Sequence, residues 1–175
     1  MKKFKPKNFI IDADGVFTDG SFYYSSKGKV LKKFGPDDAD ALTLIKNKLN
    51  IIVVTGDKKG FAITKKRIAE DMHLKLVLVS PFKRIEWIKD RFELKETIYM
   101  GDGIFDSLVF DKVKYAIAPA NALDLTKRKA DYVTKRRGGE GAVAEAVIHL
   151  LKKFFNQNLD LTKVDFSEGS GAWKK

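Results

Sequence analysis

The chain has 175 residues, 44% of them hydrophobic and 33% charged, with a formal net charge of +11. A chain of this length buries roughly 70% of its unfolded surface, which suits one domain with a sizeable core and excludes two full domains. It contains no cysteine, which excludes disulfides and thiolate metal sites. The lysines are scattered, without an arginine-rich run or a nucleic-acid-binding motif, so we expect a solvated basic surface and no nucleic-acid partner.

The start of the chain carries lysines, and the apolar run that follows, residues 9–11, ends at Asp12. So short a run is typical of neither a signal peptide nor a membrane-spanning helix. We therefore expect a cytoplasmic protein without a membrane partner. We also predict a single domain over residues 1–155, with a β-hairpin at about 21–34 and a C-terminal tail over 156–175.

Short β-branched runs alternate along the chain with longer segments of helical periodicity. The predicted strands are 9–11, 51–55, 76–79, 97–100 and 115–118. The predicted helices are 38–49, 59–72, 82–92, 104–112, 120–128 and 141–155. Strands that are apolar throughout and alternate with helices are typical of a parallel sheet covered on both faces. We predict a doubly wound, Rossmann-like α/β fold.

One segment interrupts this alternation directly after the first strand. Residues 21–24 and 30–34 are strand-like, and Ser25-Ser26-Lys27-Gly28-Lys29 between them is typical of a hairpin loop. The sequence therefore predicts a β-hairpin inserted between the first and second strands of the sheet.

Polar side chains follow four of the predicted strands. They are Asp12, Asp14 and Asp19 after the first strand, Thr55-Gly56-Asp57 after the second, Ser80-Pro81-Phe82-Lys83-Arg84 after the third, and Asp102 and Asp106 after the fourth. In an open α/β sheet, ligands bind at the carboxyl ends of the strands. We therefore expect carboxylates, a hydroxyl and a cation to converge on one site.

Asp12 and Asp14 lie on the same side of an extended chain, where close like charges repel unless a cation intervenes. Mg²⁺ takes oxygen ligands and commonly binds through one or two carboxylates, waters and a substrate phosphate. Asp102 supplies a further carboxylate. The pattern predicts a Mg²⁺ site, and the same ligands leave Mn²⁺ open.

Phosphoryl transfer needs an in-line nucleophile, a counter-charge for the phosphate oxygens and a proton for the leaving alcohol. We expect Asp12 to be the nucleophile and Asp14 to be the acid and base. Thr55 and Gly56 are placed to donate a hydroxyl and a backbone N–H to phosphate oxygens at a helix start.

Two basic segments leave alternatives open. Helical phasing places either Lys83 or Arg84 toward the cleft as the cation for the phosphate, and the compact charge of lysine favours Lys83. Arg137, Gly138 and Gly139 precede an apolar helix, so their backbone is able to approach an anionic substrate or a neighbouring subunit. The alternative for this segment is a plain loop before a helix.

These motifs resemble, in order, those of the haloacid dehalogenase superfamily. The matching stretches are residues 12–20, Val53-Val54-Thr55-Gly56, Lys83 and Gly101-Asp102-Gly103-Ile104-Phe105-Asp106. Further stretches are similar to the small-cap branch that contains 3-deoxy-D-manno-octulosonate 8-phosphate phosphatase and the keto-deoxynononate and acylneuraminate 9-phosphate phosphatases. These are Lys32-Lys33-Phe34 and residues 118–122, 130–134 and 137–143.

The resemblance implies a phosphatase that hydrolyses a phosphorylated 2-keto-3-deoxy sugar acid through an aspartyl-phosphate intermediate, in the synthesis of surface-polysaccharide precursors. Mg²⁺ would be the cofactor. Asp12 would be nucleophile and metal ligand, Asp14 the acid and base and a ligand through its backbone carbonyl, and Asp102 the third metal ligand. Asp106 would support the metal site.

The resemblance also implies a fold without a large cap domain, and a homotetramer whose hairpins associate centrally. It favours substrate contact by Arg137, Gly138 and Gly139. Two departures bear on the substrate and the metal. Asp57 stands where octulosonate phosphatases usually have arginine and so resembles the nononate branch, and Gly103 stands where close relatives often carry a second aspartate.

Two other classes of protein compete with this interpretation. A signalling receiver domain also combines an acidic cluster with a threonine and a lysine, but its phospho-accepting aspartate lies at a later strand. A catalytically idle relative retained as a scaffold would not need the intact pair Asp12 and Asp14. The sequence therefore favours hydrolysis over both.

Overall fold

The computed structural model describes residues 4–157, and its main feature is a six-stranded sheet. The strands of this sheet are β1 (Asn8–Asp12), β4 (Asn50–Thr55), β5 (Lys75–Leu78), β6 (Thr97–Met100), β7 (Tyr115–Ala118) and β8 (Tyr132–Val133). Two further strands, β2 (Tyr23–Ser25) and β3 (Gly28–Leu31), form a separate antiparallel hairpin. Most of the predicted C-terminal tail, residues 158–175, lies outside the described residues.

The six strands lie in the order β5-β4-β1-β6-β7-β8, and every neighbouring pair is parallel. The chain builds outward from β1 on one side and then returns to build outward on the other. Ligands bind where a doubly wound sheet reverses in this way, at the carboxyl end of the central strands. The predicted fold is confirmed. The topology indicates that a ligand site lies at the carboxyl end of β1.

Helices cover both faces of the sheet. They are α1 (Asp37–Thr43), α2 (Phe61–Lys65), α3 (Arg84–Lys89), α4 (Asp106–Phe110), α5 (Asp124–Lys127) and α6 (Ala142–Phe155). Phe9 and Ile11 of β1 pack into one core cluster with α1 and α6, whereas Ile10 packs into the other cluster with α3 and α4. In the described part of the chain, none of the helices combines the length and apolar character needed to cross a lipid bilayer.

Several predicted elements differ in detail from the structure. The helix predicted over residues 59–72 begins as α2 and continues as a π-helical segment, Lys66–Asp71, in which Met72 N–H donates to Arg67 carbonyl. The helix predicted over 82–92 begins with a 3₁₀ turn, Pro81–Lys83. Strand β8 was not predicted, because two residues at a sheet edge carry no period-two pattern.

The hairpin is anchored at its base to the loop that follows β1. Thr18 and Phe34 form an isolated antiparallel bridge. In the same loop, the Thr18 hydroxyl accepts the N–H groups of Gly15 at 3.0 Å and Gly20 at 3.2 Å. The bridge therefore fixes where the hairpin leaves and re-enters the domain, beside the end of the central strand.

Asp38 joins α1 to the first turn of α6 inside the protein. Its Oδ1 accepts the Ala144 N–H at 2.9 Å, and its side chain is buried, with Oδ2 lacking a hydrogen-bond partner among the described residues. Burial, only partly offset by the Ala144 hydrogen bond, raises the pKa of Asp38 to about 6. The folded protein therefore binds a proton at Asp38 more tightly than the unfolded chain does.

We expect Asp38→Asn to stabilise the protein relative to the wild type increasingly as pH rises from about 4 to about 7. The wild-type carboxylate ionises at a growing cost over that range, whereas the amide stays neutral. The difference in free energy of unfolding should change by up to about 3 kcal/mol. Urea titrations at several pH values measure it. Asp37→Asn, which removes an exposed carboxylate from the same helix, is the control, and an equal pH-dependent gain there would contradict the assignment to Asp38.

Candidate active site

The loop after β1 carries the first two predicted site residues. Asp12 ends the strand with its side chain largely buried, and its Oδ1 accepts the Ala13 N–H at 2.9 Å. Gly15 has a φ of +81°, and a Cβ added there would lie 2.0 Å from Asp102 Oδ2. Only glycine allows both the left-handed backbone and this close approach. The first loop is thus pressed against the loop after β6.

Asp12, Asp102 and Asp106 form an acidic cluster in which one carboxylate oxygen from each residue lies within 4.8 Å of the other two. Burial raises the pKa of Asp12 well above its usual range, and the Arg84 guanidinium opposes this shift only in part. Burial and the neighbouring Asp106 charge raise the pKa of Asp102 to about 7. A further positive charge is needed to keep the three groups ionised together, and hard oxygen donors of this kind fit Mg²⁺ or Mn²⁺.

Asp106 organises the cluster through both of its oxygens. Oδ2 accepts the N–H groups of Asp102 at 3.1 Å and Gly103 at 2.9 Å, which shapes the loop that presents Asp102. Oδ1 accepts Arg84 Nη1 at 2.7 Å and the Tyr99 hydroxyl at 2.6 Å. Because its oxygens are already hydrogen-bonded within the protein, Asp106 suits a supporting position better than direct coordination.

The expectation that Lys83 faces the cleft is wrong. Lys83 is exposed, whereas Arg84 is buried and donates from Nη1 to Asp12 Oδ2 at 2.9 Å. The physical reason is the 3₁₀ turn at Pro81–Lys83, whose tighter winding shifts the phase of the helix that begins at Arg84. Arg84 therefore forms the cationic side of the site, between Asp12 and Asp106.

Thr55 and Asp14 meet beside this cluster, as the convergence of strand ends predicts. The Thr55 hydroxyl donates to Asp14 Oδ2 at 3.0 Å and accepts the Asp57 N–H at 3.1 Å. Gly56 is exposed, and a Cβ added there would lie 2.7 Å from the ring of Pro81. The loops after β4 and β5 are therefore packed closely together at this edge of the sheet.

Gly138 and Gly139 pack on the loop after β1. Gly138 N–H donates to Asn121 Oδ1 at 2.6 Å, and Gly139 N–H donates to Val16 carbonyl at 3.1 Å. Their backbone donors are thus used within the protein. Both glycines also approach the loop so closely that an added Cβ would collide with residues 15–19. The side chain of the neighbouring Arg137 is exposed. This corrects the expectation that the glycine backbone is open to a substrate, and leaves Arg137 as the group of this segment that is accessible.

Sequence patterns assign no role in the site to Lys32 or Tyr99. Lys32 Nζ donates to Asp14 Oδ1 at 2.6 Å, and the Tyr99 hydroxyl oxygen accepts a hydrogen bond from Arg84 Nη1 at 2.8 Å. Tyr99 lies in an apolar strand, where an aromatic residue is typical of core packing. The alternation of the hairpin strand puts Lys32 and Lys33 on opposite sides, but nothing in the pattern indicates which side faces the domain.

Comparison with known proteins agrees with this geometry. Residues 83–147 match the model of haloacid dehalogenase-like hydrolases. The 3-deoxy-D-manno-octulosonate 8-phosphate phosphatase KdsC of Escherichia coli K12 is 31% identical over 149 residues, covering 81% of this chain and 77% of the relative. The chain belongs to the haloacid dehalogenase-like phosphatases related to KdsC. It is therefore a phosphoric monoester hydrolase by family, which removes the receiver-domain alternative.

Solved structures support the same family. The 3-deoxy-D-manno-octulosonate 8-phosphate phosphatase of Moraxella catarrhalis, solved with magnesium, phosphate and a KDO molecule, has a TM-score of 0.74 and 25% identity over 87% of this chain and 91% of that one. The cobalt-bound Haemophilus influenzae phosphatase has a TM-score of 0.76 and 25% identity over 86% and 90% of the two chains. Metal-dependent hydrolysis is the chemistry of this family, and the acidic cluster, in which Asp106 supports the Asp102 loop, offers carboxylates that suit a divalent ion.

We expect Arg84→Met to lower phosphatase turnover by about 100-fold or more and to lower the melting temperature, because it leaves buried Asp12 and Asp106 without their cation. Lys83→Met, the matched control one residue away, should stay near the wild type. Arg84→Lys should fall between them, since one ammonium replaces the planar guanidinium. Phosphate release and thermal unfolding measure both effects. A loss in Lys83→Met as large as that in Arg84→Met would restore Lys83 as the cation of the site.

Proposed function

We propose that this protein hydrolyses a phosphorylated 2-keto-3-deoxy sugar acid, either octulosonate 8-phosphate or a nononate or acylneuraminate 9-phosphate. The observation that carries the proposal is the placement of Asp12 at the end of the central strand, between the Arg84 cation and the Asp102 carboxylate. The relation to KdsC supports the substrate class.

In the first step, the Asp12 carboxylate attacks phosphorus. The bond between Asp12 oxygen and phosphorus forms as the bond between phosphorus and the sugar oxygen breaks, and Asp14 gives its proton to the leaving oxygen. Arg84 contributes positive charge beside the nucleophile, where phosphate oxygens would lie. Its Nε is buried and has no hydrogen-bond partner among residues 4–157, so the guanidinium retains an unused donor.

In the second step, Asp14 takes a proton from a water molecule as the water oxygen attacks phosphorus. The bond between phosphorus and Asp12 breaks, which regenerates the carboxylate and releases inorganic phosphate. Thr55 holds one oxygen of Asp14 and, together with Gly56, lies at the edge where the phosphate would bind. The same aspartate thus acts once as acid and once as base, as microscopic reversibility requires.

Mg²⁺ is the metal we propose for the acidic cluster. Asp12 and Asp102 would hold it through their carboxylates and Asp14 through its backbone carbonyl, while Asp106 would keep the Asp102 loop in shape. The bound ion supplies charge neutralisation for phosphate oxygens. The raised pKa of Asp102, to about 7, shows the cost of ionising this cluster without such an ion.

We expect phosphate release from one of the three keto sugar-acid phosphates in the presence of Mg²⁺, and its loss with a chelator. Asp12→Asn should abolish turnover, by roughly 10⁴-fold or more, because an amide does not form the acyl phosphate. A coupled assay for inorganic phosphate, run also with hexose phosphates and 4-nitrophenyl phosphate, measures substrate choice.

The panel separates chemistry from specificity. Release from hexose phosphates alone would overturn the sugar-acid assignment while leaving the phosphatase mechanism intact. Retained activity in Asp12→Asn would overturn the aspartyl-phosphate mechanism. Preference for a nine-carbon acid would support Asp57 as a marker of the nononate branch. Preference for octulosonate 8-phosphate would contradict that use of Asp57.

We further propose that four copies associate through their hairpins. The hairpin stands apart from the main sheet and exposes apolar side chains, with Tyr23 51%, Tyr24 62% and Leu31 61% accessible in the single chain. Tyr23 and Leu31 are cross-strand partners, so they form one contiguous apolar surface. A surface of this kind on a two-stranded ribbon is typical of an interaction site.

Light scattering should give a mass of about four times the 19.8 kDa chain for the wild type. The double variant Tyr23→Ser/Leu31→Ser should lower this mass, because it removes the apolar pair that we place between subunits. Ile148→Ser, which changes a 45% exposed apolar residue on α6, is the control. A monomeric wild type, or an unchanged mass in the double variant, would contradict association through this surface.

A further inference from the structure

Lys32 follows β3 in the hairpin segment, and its side chain is fully buried, with 0% of it exposed. A lysine is almost never fully buried unless it is paired, because removing its charge from water is costly. Its neighbour Lys33 shows the ordinary behaviour, with 51% of its side chain exposed and only an exposed contact to Glu140 at 3.3 Å. The burial of Lys32 therefore needs an explanation in its contacts.

Three oxygen atoms surround Lys32 Nζ. They belong to Asp14 at 2.6 Å, Asp57 at 2.8 Å and Thr64 at 2.8 Å. An ammonium group carries three N–H donors, so this environment can satisfy all of them. Lys32 thus connects the hairpin segment with the loop after β1 and with the segment after β4.

Asp57, one of the acceptors of Lys32, is itself held in place by further hydrogen bonds. Asp57 Oδ1 accepts the Gly60 N–H at 3.0 Å, and Lys29 contacts Oδ2 alongside Lys32. Burial disfavours the charged form of Asp57, but the hydrogen bonds from Lys29 and Lys32 outweigh it and lower its pKa to about 2. Asp57 therefore stays ionised at neutral pH and holds Lys32 through a second ion pair beside the one with Asp14.

Asp14 is held by both of its oxygens. Lys32 binds Oδ1 and Thr55 binds Oδ2, so rotation of the carboxylate about its bond to Cβ is restrained from two directions. A group that transfers a proton must be held within hydrogen-bond reach of the reacting oxygen, and misplacement by about 1 Å can cost 10²-fold in rate.

We propose that Lys32 is a positioning residue, which fixes the direction of the Asp14 carboxylate for proton transfer to the leaving oxygen. This inference rests on the proposed role of Asp14 and adds a role for the hairpin, which delivers Lys32 to the site. When Asp14 is misplaced, we expect the first step to slow most on substrates whose leaving oxygen needs a proton.

The leaving group tests this role. Phenyl phosphate needs a proton on its leaving oxygen, whereas 4-nitrophenyl phosphate releases a stable phenolate without one. Lys32→Met should lower kcat/KM, which reports on the steps up to formation of the aspartyl phosphate, by about 100-fold on phenyl phosphate and by less than about fivefold on 4-nitrophenyl phosphate. Lys33→Met, the exposed neighbour, should match the wild type on both substrates.

A second variant covers the case in which Lys32→Met fails to fold. Asp57→Asn keeps the side-chain shape but removes the charge that anchors Lys32, and it should give the same selective loss at smaller size, about tenfold on phenyl phosphate. Thermal unfolding confirms that each variant is folded. Equal losses on both substrates, or no loss in either variant, would overturn the positioning role.

The same assay isolates the underlying chemistry. If the wild type hydrolyses both aryl phosphates and Asp12→Asn hydrolyses neither, Asp12 is established as the nucleophile independently of Lys32. Equal losses on both substrates in Lys32→Met would then contradict only the positioning role. A wild-type enzyme inactive on every phosphate ester would overturn the proposed mechanism, and this inference with it.

Discussion

The structure depends on negative charge buried at the end of the central strand. Asp12, Asp102 and Asp106 share a space in which one oxygen from each lies within 4.8 Å of the other two, and burial raises the pKa of Asp12 and Asp102. Like charges in a poorly solvated site are stable together only with nearby cations and donors. Arg84 supplies one such cation, and the backbone N–H groups that bind Asp106 supply further donors.

This constraint gives two aspartates separated by one residue different surroundings, which supports the different tasks that we propose for them. Asp12 lies beside Arg84, in the acidic cluster, whereas Asp14 lies beside Lys32 and Thr55. Pairs of carboxylates divide into nucleophile and proton carrier when their environments differ. Here the difference comes from two separate parts of the chain, because the helix after β5 provides Arg84 and the hairpin provides Lys32. The hairpin segment is therefore part of the architecture of the candidate site.

The central strands of the sheet were predictable because β1, β4, β6 and β7 are buried almost throughout and appear as apolar runs. The strands predicted over 97–100 and 115–118 coincide with β6 and β7. Helix lengths were less predictable. The helix predicted over 38–49 ends at Thr43 as a regular α-helix and continues in hydrogen-bonded turns up to Leu49, directly before β4. Local propensity does not carry such information, because tertiary packing decides where a helix stops.

The convergence of Asp12, Asp14 and Thr55 followed from their positions at the ends of predicted strands, but the choice between adjacent basic residues did not follow from the sequence. Arg84 rather than Lys83, and Lys32 rather than Lys33, enter the protein. In each pair both residues carry the same charge, so composition cannot distinguish them. The backbone decides which residue points inward, through a 3₁₀ turn before Arg84 and through hairpin placement before Lys32. Burial of that cation is then tolerated only because carboxylates already occupy the position it reaches. Which cation reaches the carboxylates is therefore decided by backbone geometry that forms only in the folded chain.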